Sequence, residues 1–255
     1  MTQVSGRPDL PDWRVQVLRL SLFPAPDEQP QEQREWERVV GAAPEAIQVN
    51  PRTGGFHAVG PWSARDVSPA VLALRVTPAR VDWLLQARQD VEDILPTVGA
   101  GDIVIDAFRQ LLAAWLARQQ HAQRLAYGAV LVVPAASHEE ANEVLARVLP
   151  TGLDLNGVRD FLLQLNRRRP SRVIDGLMLN RLSKWSVGST SFVTFQISGA
   201  QMATTQTPEQ AAAQAELDFN TAGEHEAVLP GDRLAALFDE LVALGNEVLR
   251  EGPIP

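Results

Sequence analysis

The segment Asn166-Arg167-Arg168-Arg169-Pro170-Ser171-Arg172 places four guanidinium groups within six residues of an otherwise acidic chain. A guanidinium is planar, keeps its charge and offers forked donors, which suits a grip on phosphates or on a partner's carboxylates. Lys184 and Trp185 follow on the next predicted strand and add a cation and an indole able to stack on a base or anchor a protein contact. The candidate binding residues are therefore Arg167, Arg168, Arg169, Arg172, Lys184 and Trp185. A second group is acidic. Asp154, Asp160, Asp175, Glu216 and Asp218 fall on or beside predicted strands as an oxygen-rich set of the kind that binds Mg²⁺ or Mn²⁺, and Asp154, Asp175, Glu216, Asp218 and His225 offer a dispersed carboxylate or Ser/His site. Their spacing is not diagnostic, and polar residues alternating outward from amphipathic strands account for them.

The better-known chemical signatures are incomplete. His138-Glu139-Glu140-Ala141-Asn142 opens like a zinc-hydrolase motif, but Asn142 stands where the second imidazole is needed. Ser137 and Glu140 read instead as a capping box that starts a helix. Val98-Gly99-Ala100-Gly101-Asp102 precedes a helix yet lacks both the dinucleotide and the phosphate-loop patterns, and Asp102 reads as its N-cap. Gly188-Ser189-Thr190-Ser191 is not a nucleophile elbow and reads as a turn between strands. The chain has no cysteine, which removes disulfides, thiolate metal sites and a cysteine nucleophile. The expectation is a non-catalytic protein with no metal and no cofactor.

Composition fits that picture. The 255 residues are 45% hydrophobic and 21% charged, which is the profile of a globular chain large enough to bury a core without staples. Acidic residues outnumber basic ones 31 to 23, a net charge of −8 that argues against global affinity for nucleic acid or anionic lipid. Residues 1–8 do not form a signal peptide, and the apolar stretch 125–136 is broken by Gly128 and Pro134. A cytoplasmic location and no membrane are expected.

These residues must be positioned by an alternation of strands and helices. Strands are expected at 14–23, in a hairpin at 47–59 turning through 51–55, and at 71–76. A helix at 27–40 precedes the hairpin, another carries Trp83 and Leu84, and 103–119 forms the clearest helix. From Arg124 the same order begins again: a strand at 129–133, a helix from Ser137, then strands at 158–165, 177–187 and 191–197. A loop at 199–214, a strand at 215–219 and a long helix at 232–250 complete it. Phe23-Pro24-Ala25 parallels Val133-Pro134-Ala135, and Phe108-Arg109-Gln110-Leu111-Leu112 parallels Phe238-Asp239-Glu240-Leu241-Val242. The expected fold is α+β, with antiparallel sheets, helices on one face and an internal duplication about a pseudo-dyad. It divides into a lead (1–13), two halves (14–123 and 124–251) and a tail (252–255). Trp36, Trp83 and Trp115 are assigned to the core.

Arg124-Leu125-Ala126-Tyr127-Gly128-Ala129-Val130-Leu131, Leu217-Asp218-Phe219-Asn220 and the closing helix around Phe238 resemble a sporadically distributed family of bacterial proteins of similar length. That family has no established activity, and the resemblance implies only an accessory role in defence or mobile-element biology. Taken together, the residues predict a binding protein whose partner is a protein encoded nearby. A dispersed-site hydrolase and single-stranded nucleic-acid binding on a sheet face are the alternatives.

Overall fold

Residues 14–23 alternate in character, and the structure, a computed structural model, buries Val15, Leu18, Leu20 and Leu22 on one side of strand β1 (Arg14–Phe23). It describes residues 10–25, 32–88, 94–149, 152, 154–190, 193–198, 201–206 and 209–253. The chain continues through α1 (Glu32–Val40), β2 (Ala46–Asn50), β3 (Gly55–Trp62), β4 (Ala70–Thr77), β5 (Arg80–Ala87), β6 (Gly99–Ala100) and α2 (Gly101–Leu116). After the short β7 (His121–Ala122) come β8 (Arg124–Ala135), α3 (His138–Val148), β9 (Leu162–Pro170) and β10 (Met178–Thr190). The last elements are β11 (Val193–Ser198), β12 (Gln201–Gln206), β13 (Gln210–Thr221), β14 (Leu229–Pro230) and α4 (Gly231–Glu251).

One antiparallel sheet runs β2-β3-β4-β5-β1-β8-β13-β10-β9, with β6 beside the start of β1. The helices pack on one face of it, over side chains such as Leu20, Trp83, Tyr127, Phe219 and Trp185, all buried. This is the expected α+β arrangement, built as a single sheet. The seam is the β1–β8 pairing, which runs from Arg14 opposite Val132 to Phe23 opposite Arg124. Outward from it each side repeats an order: a first strand, a helix, a meander that returns to pair with the first strand, and a second helix. The first side adds β2 at its edge, and the second inserts the β11–β12 ribbon between β10 and β13. Arg109 on α2 and Asp239 on α4, positions the sequence parallel aligns, ion-pair at 3.0 Å. What the fold displays is a repeated order of elements rather than a duplicated sequence.

Trp36 stacks on Trp83 with centroids 6.0 Å apart, and Trp83 meets Trp115 edge-on at 6.0 Å, so these rings are core as expected. Trp36 lies over Gly60, where a Cβ would come within 2.9 Å of the indole. The side chain of Ser137 accepts from the Glu140 amide at 3.2 Å and Glu140 accepts from the Ala136 amide at 2.6 Å, so the cap forms as read.

Several expected elements differ. Trp83 and Leu84 lie on strand β5, not a helix, because Val81, Trp83 and Leu85 alternate inward with period two. Gly188-Ser189 is not a turn, since both residues pair within β10 against Ala212 and Ala211. Much of the expected loop 199–214 is strand, in β12 and the start of β13, where small alanines fit the sheet. Asp102 is not the N-cap of α2: that position is Ala100, and Asp102 sits in the first turn with its carboxylate accepting from the Ile103 amide. The strand expected at 158–165 begins later and takes in the arginine run as β9.

Candidate functional site

Because the arginine run lies on a strand, its side chains divide between two faces. Arg167 and Arg169 pair in register with Arg181 and Leu179, whose side chains are buried under the helices. Arg168 pairs with Asn180 on the opposite, open face. Arg169 forks onto the Glu247 carboxylate of α4 at 3.1 and 3.0 Å, and Glu247 also receives Arg181 at 3.3 Å. Burial, with Arg169 and Arg167 nearby, shifts the Arg181 guanidinium downward, and Glu247 opposes that shift. Arg168 pairs with Glu224 beyond the end of β13. Arg172 is in the turn after β9, where its amide and the Ser171 hydroxyl both donate to Glu240.

Trp185 is fully buried, in edge contact with Trp13 at 5.8 Å, with its indole N–H donating to Ser183 Oγ. Its strand position, opposite Ala215 and Leu163, points it into the core, which leaves no face for a base. Of the six sequence-picked residues, Arg168 and Lys184 stand on the open sheet face, and Arg167 and Arg169 on the helix side.

The open face carries the structure's clearest electrostatic feature. Strand registers place Arg14, Arg19, Arg75 and Arg80 on it from one side of the seam, and Arg124, Lys184 and Arg168 from the other. The strand-borne anions on that face are Asp82, Glu216 and Asp218, and the flanking carboxylates Asp12 and Glu224 pair with Arg14 and Arg168. The described side chains of the four helices hold twelve carboxylates against five guanidinium groups, a surplus of seven. Among the described residues the sheet face is therefore the more basic, and the helical side stays the more acidic with Arg167, Arg169 and Arg181 added to it. Sequence reading missed this because charge was counted along the chain, whereas strand register sorts it between faces.

At the centre of the open face lies a shallow hollow of about 360 Å³, floored by Val17, Gly128, Val130 and Leu182 and rimmed by charge. The Arg19 guanidinium lies over Gly128, where a Cβ would come within 3.3 Å, and it pairs with Asp218 at 3.7 Å. Lys184 pairs with Glu216 at 2.8 Å, and Gln214 donates to the same carboxylate at 3.2 Å. Nearer the β2 edge, buried Asp82 accepts from Ser21 Oγ at 2.5 Å and pairs with Arg80 at 2.8 Å. His57, two strands from Asp82, is pushed below the ordinary histidine range, first by burial and then by Arg75 beside it. Of the phenylalanine, tyrosine and tryptophan rings, the described registers place only Phe23 on this face, and Arg124 covers it at 5.1 Å.

The acidic residues considered for a dispersed site are mostly apart. Glu216 and Asp218 share the hollow, each with a cationic partner, while Asp154 accepts from the Asn156 amide in a turn beside α3. His225 lies in the turn after β13. Among the described residues no group of three or more histidine, aspartate or glutamate side chains is arranged to hold a metal ion, and no helix is long and apolar enough to cross a membrane.

No protein-family model matches the chain, and no curated protein matches it. Among solved structures it is similar to the di-domain ARO/CYC protein BexL from the BE-7585A biosynthetic pathway. The identity is 15%, over 81% of this chain and 76% of that one, with a TM-score of 0.18. A score that low carries no argument about fold or activity.

Proposed function

We propose that this protein is a non-catalytic binding protein that docks an acidic protein partner on its open sheet face, in the cytoplasm. The observation behind this reading is the separation of charge, with seven cations against three strand-borne anions and two flanking carboxylates on the sheet face while the helices hold a surplus of carboxylates. Such a field steers an acidic partner to one face and turns the other away. Pairs such as Lys184–Glu216 hold long side chains in place before contact, which lowers the ordering cost of binding. Single-stranded nucleic acid is a poorer fit, because stacking needs exposed rings and Phe23 is capped by Arg124.

The test is affinity purification of tagged wild type and two charge variants from the native host. Arg19→Gln/Arg75→Gln/Lys184→Gln removes three cations from the sheet face, and Glu139→Gln/Glu143→Gln/Asp239→Asn removes three carboxylates from the helical face. A stoichiometric acidic protein should be retained by wild type and the helical variant, lost from the sheet variant, and released by salt. Equal recovery by the sheet variant refutes the proposal, as does recovery of nuclease-sensitive nucleic acid in place of a protein.

A further inference from the structure

The two edges of the sheet differ sharply. β9 carries Arg167, Arg168 and Arg169 and ends in Pro170, which are the charges and the missing donor that protect an edge from pairing with another strand. β2, at the other end, has the sequence Ala46-Ile47-Gln48-Val49-Asn50, with no charge, no proline and every residue exposed. Ile47 and Val49 are 46% and 58% exposed, although their register partners Ala58 and Phe56 are buried under the helices. Half the backbone donors and acceptors of β2 face away from β3, and two branched apolar side chains stand beside them on the helix side.

We infer that β2 is a self-association edge, and that two copies of this chain pair β2 against β2, antiparallel, about a dyad through Gln48. In that register Ile47 of one copy lies opposite Val49 of the other, twice, and Ala46 lies opposite Asn50, so both branched apolar side chains of each copy gain an apolar neighbour. The same dyad sets Glu45 of each copy opposite Pro51 of the other, so no like charges meet across the pair. The pairing is self-complementary, because the register that sets Ile47 against Val49 does so on both sides of Gln48. A dyad perpendicular to the sheet keeps both helical layers on the same side, so the sheet continues through the pair and both basic faces look the same way. The strand is short, so the contact falls below the roughly 800 Å² per partner of a tight interface and the association belongs to the weak class.

The chain has no cysteine, which makes the test clean. Residues facing each other across antiparallel strands have Cα atoms about 4.5–5.5 Å apart, within disulfide reach. Gln48→Cys under a glutathione redox buffer should cross-link to a dimer at least tenfold faster than Leu162→Cys on the β9 edge. Sedimentation of the wild type from about 5 to 300 μM should show the mass rising from 27.9 kDa toward twice that value. Val49→Lys, whose side chain is exposed and whose circular dichroism should match wild type, should hold the protein at the monomer mass. A wild type that stays monomeric throughout overturns the inference. So does association unaffected by Val49→Lys, or Leu162→Cys cross-linking as fast as Gln48→Cys.

Discussion

Glu247 joins β9 and β10 to the last helix, and removing it should be among the most costly single changes away from the tryptophan core. Arg181 is 4% exposed at its side chain, its Nε has no hydrogen-bond partner, and Glu247 is its paired carboxylate among the described residues. Glu247→Leu strands that guanidinium, for which the loss is about 3–5 kcal/mol. Arg169, 28% exposed at its side chain, loses the same carboxylate but can turn to water, and so adds at most about 1 kcal/mol. The second arm is Glu247→Leu/Arg181→Met. Exchanging a buried ion pair for apolar groups of similar volume is near neutral or stabilising, so the double variant should recover most of the loss. The assay is urea unfolding followed by circular dichroism, comparing midpoints at unchanged slope. A Glu247→Leu loss below about 1 kcal/mol would refute the reasoning. A double variant no more stable than the single would also do so, because the cost would then come from helix packing rather than an unpaired charge.

The Tyr127 hydroxyl is buried with no partner, and burial drives its ionisation well above the ordinary tyrosine range; Tyr127→Phe should therefore leave urea stability unchanged or raise it by up to about 1 kcal/mol. Gly231 opens α4 with its Cα against the Gln119 and Gln120 carbonyl oxygens, 2.1 and 2.2 Å from where a Cβ would stand, so Gly231→Ala should cost several kcal/mol, on the order of a severe overpacking, and show as reduced soluble yield or a collapsed melting point. Ser137→Ala should remove about 1 kcal/mol by uncapping α3, readable in the same unfolding curves. His57 has a lowered folded-state pKa, so the unfolded chain takes up its proton first on acidification. Its contribution is fully present above about pH 6.5 and is lost as pH falls through that value toward the folded pKa. His57→Asn should flatten the stability profile across that window, and an unchanged slope would assign the acid sensitivity elsewhere.

Where a single period dominates, the sequence revealed the structure. Arg14–Phe23 was readable as a strand to both ends, and α4 nearly so, because apolar residues recur at one spacing with breakers beside them. β5 was misread because a run of apolar residues around Trp83 suits either period, and only pairing with β4 and β1 decides it. Trp185 was taken for a surface ring because Lys184 and Ser186 flank it, which is also how the inward residue of a half-buried strand looks. The arginine run was legible as chemistry but not as geometry. Its division between Glu247 on one side and Glu224 on the other depends on which residue of β9 stands opposite Asn180. The basic face combines residues from strands in both halves of the chain, and no local pattern encodes it.

The β1–β8 seam has a further consequence, for synthesis on the ribosome. Leu18 pairs with Ala129, so β1 leaves the ribosome long before its neighbour on that side exists. Until residues 124–135 emerge, β5 occupies one flank of β1 and the other flank is an open edge with Leu18, Leu20 and Leu22 behind it. Non-local pairings of this kind close slowly and leave sticky strands unpaired meanwhile. The nascent first half is thus the stage at which the protein is most prone to aggregate, and chaperone dependence should be concentrated there. A stall while residues 124–135 are still inside the ribosome should lengthen chaperone occupancy relative to a stall after the whole chain has emerged.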